Sequence, residues 1–338
     1  MDSARFSFPA VKGIQASMEY YVAMVPLDCI SKLFTFTDEN LPPEIRSQRT
    51  LNKARIPEIR EYILSNPKSY VFSALTASID GDVDFEAVQE NSNLGMLSIS
   101  MAAKLLINDG QHRRAAIEEA LKKNPELKYE HISIVLYHDI GLKRSQQMFS
   151  DLNRFAIRPT KSLNILYDNR DFMSLLVKHI IASVPNFNQL IDKEHTSIPN
   201  RSIALFTLSA MHHGTKALLK DFTISEEEQT EIAKQFWTEI YKNMTEWKMV
   251  ADKKIKASEI RRDSLSPLSI TIRSLGEIGN ILISEYPQDW KMKLVTLKKI
   301  DWKKTNPLWQ NGIVVNGSVQ LSHATQAQMV TILRKIII

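Results

Sequence analysis

The first half of the chain alternates short β-branched runs with amphipathic stretches, and the second half reads almost wholly in helical period. Residues 19–36 mix β-branched and aromatic side chains around Pro26, which predicts a strand and then a short helix. Ile56, Ile59, Ile63 and Leu64 share one helical face, and Asn66-Pro67 stops that helix. Residues 70–79 predict a strand closed by the turn Asp80-Gly81-Asp82, and residues 97–107 another, broken at Asn108-Asp109-Gly110. A helix follows over 113–123, with Ala116, Ile117, Ala120 and Leu121 on one face and Asn124-Pro125 at its end. Residues 132–137 predict a short strand, and 144–153 a helix carrying Met148, Phe149 and Leu152. From about Leu163 the pattern is helical. Ser225-x-x-Glu228 is a capping box, and Ile232, Phe236, Ile240 and Met244 recur every four residues behind it. Further helices are predicted over 268–284 and 324–337. The expected architecture is α+β: a small mixed sheet with helices over residues 1–160, then a mostly helical domain over 161–338.

Composition narrows the classes. With 43% hydrophobic and 24% charged residues the chain is globular, and 338 residues suffice for two domains. Glycine is scarce, with 10 residues, which argues against glycine-loop folds and many-stranded barrels. One cysteine, Cys29, excludes an intramolecular disulfide and a multi-thiolate zinc site. No apolar run approaches the length of a membrane span, and the first five residues lack the basic start of a signal peptide. A cytoplasmic protein without membrane partners is the expectation. The net charge of +5 permits a nucleic-acid partner without requiring one.

The chemistry concentrates in Ile107-Asn108-Asp109-Gly110-Gln111-His112-Arg113-Arg114. An apolar strand runs into a glycine, which lets a ligand approach the backbone, and a helix begins at once. The N–H groups of a first helical turn and the positive end of its dipole attract anions. His112, Arg113 and Arg114 add side-chain donors there, and a guanidinium can hold two phosphate oxygens. The competing reading is structural: Asp109 caps the helix and the basic residues are a solvated face. The run Asp151-Leu152-Asn153-Arg154-Phe155-Ala156-Ile157-Arg158 follows an apolar helix and would bring Asn153, Arg154 and Arg158 to the same ligand. Arg55, at the start of an earlier helix, would reach it too; the competing reading is that each of these is surface.

Asp109-Gly110-Gln111-His112-Arg113 is the motif of the DGQHR family, and its spacing to Met148-Phe149-Ser150-Asp151-Leu152-Asn153 resembles that family as well. Within it, the length, the Gln48-Arg49-Thr50-Leu51-Asn52 segment and the helical second half look like the DndB family, which accompanies DNA phosphorothioation gene clusters. The order strand, Gly-x-His-Arg helix, strand, helix, Asn-Arg is similar to the ParB/sulfiredoxin-like architecture. ParB proteins bind a nucleoside triphosphate with a comparable turn. Sulfiredoxins place a cysteine where this chain has Gln111, so their redox chemistry is not supported. The resemblance implies a DNA-binding regulator, a repressor of the modification genes, with double-stranded DNA as partner. At one further remove it implies a nucleoside triphosphate with magnesium at the turn. The alternative is a nucleotide-hydrolysing switch in which Arg113 and Arg154 clamp phosphates and Asp109 orients a metal or water. A third reading is an assembly partner of the phosphorothioation enzymes; a homo-oligomer is a further expectation.

For DNA, residues 251–273 hold Lys253, Lys254, Lys256, Arg261, Arg262 and Arg273 against three acidic residues. Residues 288–304 hold six lysines with Trp290 and Trp302 interleaved. Such clusters supply the sequence-independent phosphate attraction, and residues 258–265 with 267–275 would form a helix-turn-helix that lacks its usual glycine. The competing reading is that the lysines solvate amphipathic helices and the tryptophans are core. No phosphate-binding Gly-x4-Gly-Lys loop, His-Glu-x-x-His run or Gly-x-Ser-x-Gly elbow occurs. His212-His213 are adjacent and so point apart on a helix, unlike metal ligands, and Gly276-x-x-Gly279 predicts close helix packing. Cys29 is either a small buried hydrophobe or, as the resemblance to a sulfur-modification system implies, a sensing or sulfur-accepting thiol.

Overall fold

The computed structural model describes residues 4–34, 51–138, 147, 148, 150–152, 159–310 and 312–338. The chain divides into two compact units, Met1–Ile157 and Arg158–Ile338.

The first unit is built on one mixed sheet of seven strands: β1 (Arg5–Gln15), β2 (Met18–Pro26), β3 (Leu75–Asp80), β4 (Val83–Ala87), β5 (Leu94–Ser100), β6 (Lys104–Asp109) and β7 (His131–His138). Their order is β4-β5-β1-β2-β7-β3-β6, and every neighbouring pair is antiparallel except β3 with β7. One turn of helix, α1 (Ile30–Leu33), follows β2; α2 (Ile56–Ser65) and α3 (Gln111–Lys123) pack on each other. Ile63 of α2 and Ala116, Ile117 and Ala120 of α3 share a buried core with Leu75, Ala77 and Ile79 of β3 and Leu105 and Ile107 of β6. Each such Ile or Leu contributes about 1.5–3 kcal/mol relative to exposure. The sequence pattern does not reveal β1 and β4. In β1, Pro9 and Gly13 interrupt a strand that nonetheless alternates, with Phe8 and Ala10 buried. Pro9 is tolerated because it pairs only with β5, and the register with β2 begins at Ala10.

Helices make up most of the second unit: α4 (Lys161–Tyr167), α5 (Phe172–Ser183), α6 (Phe187–Leu190), α7 (Leu208–Leu218), α8 (Glu226–Asn243), α9 (Thr245–Ala251), α10 (Ala257–Asp263), α11 (Ser269–Glu285), α12 (Trp290–Lys293), α13 (Pro307–Gln310) and α14 (His323–Ile337). The capping box forms: Ser225 Oγ accepts from Glu228 N at 3.2 Å, and Glu228 Oε2 accepts from Ser225 N at 3.0 Å. Helix α11 is the central element, packed on α7 and α14. A Cβ at Gly276 would lie 2.0 Å from the carbonyl oxygen of Gly214 in α7, so this crossing requires glycine. The expected helix-turn-helix is corrected here. Its second helix is α11, which exposes only Ser269, Arg273, Ser284 and Glu285, while Ile270, Ile272, Leu275, Ile278 and Leu282 are buried around it. A helix covered on so many sides cannot enter a groove. The tryptophans are core as well: Trp237, Trp247, Trp290, Trp302 and Trp309 are at most 8% exposed, so none is a platform for stacking bases. Among the described residues, no helix is long and apolar enough to cross a membrane.

Candidate functional site

The 108–114 turn is shaped by two backbone irregularities. Thr76 pairs with Asp109 but Ala77 with Ile107, so Asn108 is the extra residue of a β-bulge in the edge strand β6. Its side chain is buried beneath the turn and accepts a hydrogen bond from Ser78 Oγ at 2.9 Å. Ser78 Oγ also lies 3.9 Å from Met148 Sδ, which brings Met148 to the same floor. Gly110 then adopts φ +98°, and a Cβ there would meet the Leu75 side chain at 2.4 Å. Both the angle and the space demand glycine. Gly110 is the N-cap of α3, so it offers no side-chain cap, and the first turn holds no acidic residue. Asp109, just before the N-cap, is paired with Arg113, so the positive end of the α3 dipole suits an anion.

The arginines of the motif are anchored in the protein. Arg113 Nη1 donates to the carbonyl of Ser73, to Ser73 Oγ at 2.6 Å and to the carbonyl of Ala74 at 3.0 Å. Its Nη2 pairs with Asp109 at 2.7 Å, and only 16% of the side chain is exposed. Arg113 therefore ties the entry of β3 to the turn, and it would have to exchange those bonds to clamp a phosphate. Arg114 donates to the carbonyl of Phe34 at 3.0 Å and pairs with Glu118 at 2.8 Å. Gln111 Oε1 and Arg114 Nε are buried without a hydrogen-bond partner among the described residues. His112 Nε2 accepts from the Asn52 N–H at 3.0 Å, which puts the Asn52-capped turn Lys53–Arg55 beside the motif. Arg55 is exposed there. Asn153, Arg154 and Arg158 lie outside the described residues. As a metal set the turn fits poorly: Asp109 is neutralised by Arg113, and no group of three His, Cys, Asp or Glu among the described residues is placed to hold a metal ion.

The family model of DndB, described as DNA-sulfur modification-associated, matches residues 8–337, which runs through both units and includes the turn. The chain belongs to the DndB family. No curated protein and no solved structure matches it.

The basic residues of the helical unit separate into two groups. Lys253, Lys254 and Lys256 line one open cavity of 480 Å³ together with Arg201, which no linear motif announces because it stands alone in its segment. Arg261, Arg262 and Arg273 have internal partners. Arg261 donates from Nη1 to the carbonyls of Ser202, at 3.0 Å, and Ala204, and from Nη2 to those of Pro199 and Asn200 at 3.0 and 3.1 Å. Burial pushes its pKa below the usual arginine value. Arg262 pairs with Asp263 at 2.7 Å, and Arg273 with Glu277 at 3.1 Å.

Cys29 is half-buried; burial and the Asp28 carboxylate push its thiol pKa up, opposite to the low-pKa environment of a reactive thiol. His212 and His213 are pushed down, chiefly by burial, and so favour the neutral form.

Proposed function

We propose that the chain is a DNA-binding regulator, a repressor of the genes for DNA phosphorothioate modification. The observation that carries this reading is a set of lysines held in one cavity, in a chain whose family is associated with DNA sulfur modification. Lys253 and Lys256 have no ion pair among the described residues, so their charge is available to phosphates. A gel shift with the promoter of the modification genes tests the reading: a shifted band at low salt that is lost as salt rises is expected, and no shift at low salt would overturn it.

A second reading rests on the uncapped α3 N-terminus behind Gly110. It makes the turn a nucleotide phosphate site, with backbone N–H groups and Arg55 as donors and magnesium carried on the nucleotide. Radiolabelled triphosphate binding and hydrolysis by wild type and Arg55→Ala check it. Arg55 is exposed, so the variant keeps its fold, and at least severalfold weaker binding is expected.

A further inference from the structure

Helix α9 ends in an unusual way. Lys254 N donates to Met249 O at 2.8 Å and Lys253 N to Val250 O at 3.0 Å, the paired bonds of a left-handed helix terminus. That terminus places its central residue at positive φ, where glycine is the ordinary choice. Here the residue is Lys253, at φ +58°. A side chain in this conformation is strained, and no ion pair of Lys253 among the described residues offsets the strain.

Lys253 lines the 480 Å³ cavity, whose cationic lining is Arg201, Lys253, Lys254 and Lys256. Two acidic groups moderate it: Glu259 lines the same cavity, and Asp252 pairs with Lys254 at 3.1 Å. Arg201, Lys253 and Lys256 are exposed and make no ion pair among the described residues. The opposite wall is held rigid. Arg261, from α10, binds four carbonyls of the 199–204 segment, which fixes the backbone on either side of Arg201. Four hydrogen bonds from one fork orient a loop more firmly than single contacts would.

We infer that Arg201, Lys253 and Lys256 form a phosphate subsite for the backbone of duplex DNA, with Arg261 as the positioning residue that sets its wall. This rests on the DNA-binding reading and gives it an address. Lysine stands at the left-handed position because its charge serves the ligand, at a cost in stability that glycine would avoid. The subsite reads phosphate oxygens and carries no sequence preference of its own.

The full-length chain and a fluorescent duplex of arbitrary sequence test the inference by anisotropy over a range of salt, beside thermal unfolding. Lys253→Gly is expected to unfold at a higher temperature and yet bind the duplex more weakly. Its slope of log affinity against log salt should be smaller by about 0.9, or about threefold in affinity over a fourfold change in salt. Arg201→Gln is expected to lose as much with its unfolding temperature unchanged. Lys335→Gln, an exposed lysine of α14 outside the cavity and outside both basic clusters, is the control for net charge and is expected to bind as wild type. Wild-type binding with unchanged slopes in Lys253→Gly and Arg201→Gln would overturn the subsite and leave DNA binding standing. An equal loss in Lys335→Gln would also overturn it. Failure of the wild type to bind any duplex at low salt would overturn the DNA-binding reading itself.

Discussion

At the scale of single residues, Gly110 shapes the motif more than the arginines that follow it. Its φ of +98°, and the Leu75 side chain 2.4 Å from where a Cβ would stand, leave no room for alanine. Gly110→Ala is expected to cost at least about 1–3 kcal/mol, read as a lower urea midpoint with an unchanged slope. A midpoint equal to wild type would show that the turn yields easily. The glycine and the helix start were legible in the sequence, because a Gly between an apolar run and an Ala-rich helix has few other uses. That Arg113 is occupied by Ser73 and Ala74 was not, since their carbonyls arrive from the entry of β3, 40 and 39 residues away. Arg201 and the bulge at Asn108 were hidden for the same reason: each takes its meaning from a partner strand or helix that local spacing does not encode.

At the scale of elements, periodicity located the helices that pack an apolar face on the core. The Ser225 capping box and the Gly276 crossing were both readable, since the chemistry lies within one turn or at one residue. Gly276→Ala is expected to force α11 from α7 and to destabilise the helical unit by about 1–3 kcal/mol, measured by thermal or urea unfolding. Strand β1 escaped because Pro9 and Gly13 interrupt its pattern, and the groove-helix reading of α11 failed because a basic residue such as Arg273 says nothing about the buried faces beside it. A pH effect belongs to this scale too. The N–H groups of Arg170 and Asp171 hold the Asp168 carboxyl below its ordinary value at the junction of α4 and α5. A depressed carboxyl stabilises the fold above its unfolded pKa, about 4, and that share is lost as pH falls through the folded value. Asp168→Asn keeps an acceptor without the charge. Its unfolding temperature is therefore expected to lie below wild type near neutrality and to converge with it in acid; a constant gap would contradict this.

At the scale of the whole molecule, the α+β unit carries an anion-suited helix start and the helical unit a lysine cavity, and neither presents the tryptophans that stand among the lysines in the sequence. All five tryptophans are buried in the core of the helical unit. On the proposed reading, DNA contact through the cavity is electrostatic, without base stacking on tryptophan. Regulation asks for more than attraction to phosphates: a repressor must prefer its own promoter over other sequences. The direct measurement is the affinity of the full-length chain for the promoter of the modification genes, set against a scrambled duplex of equal length at one physiological salt concentration. A repressor of these genes is expected to prefer the promoter by about 10³-fold or more. Equal affinity for the two duplexes would contradict that role.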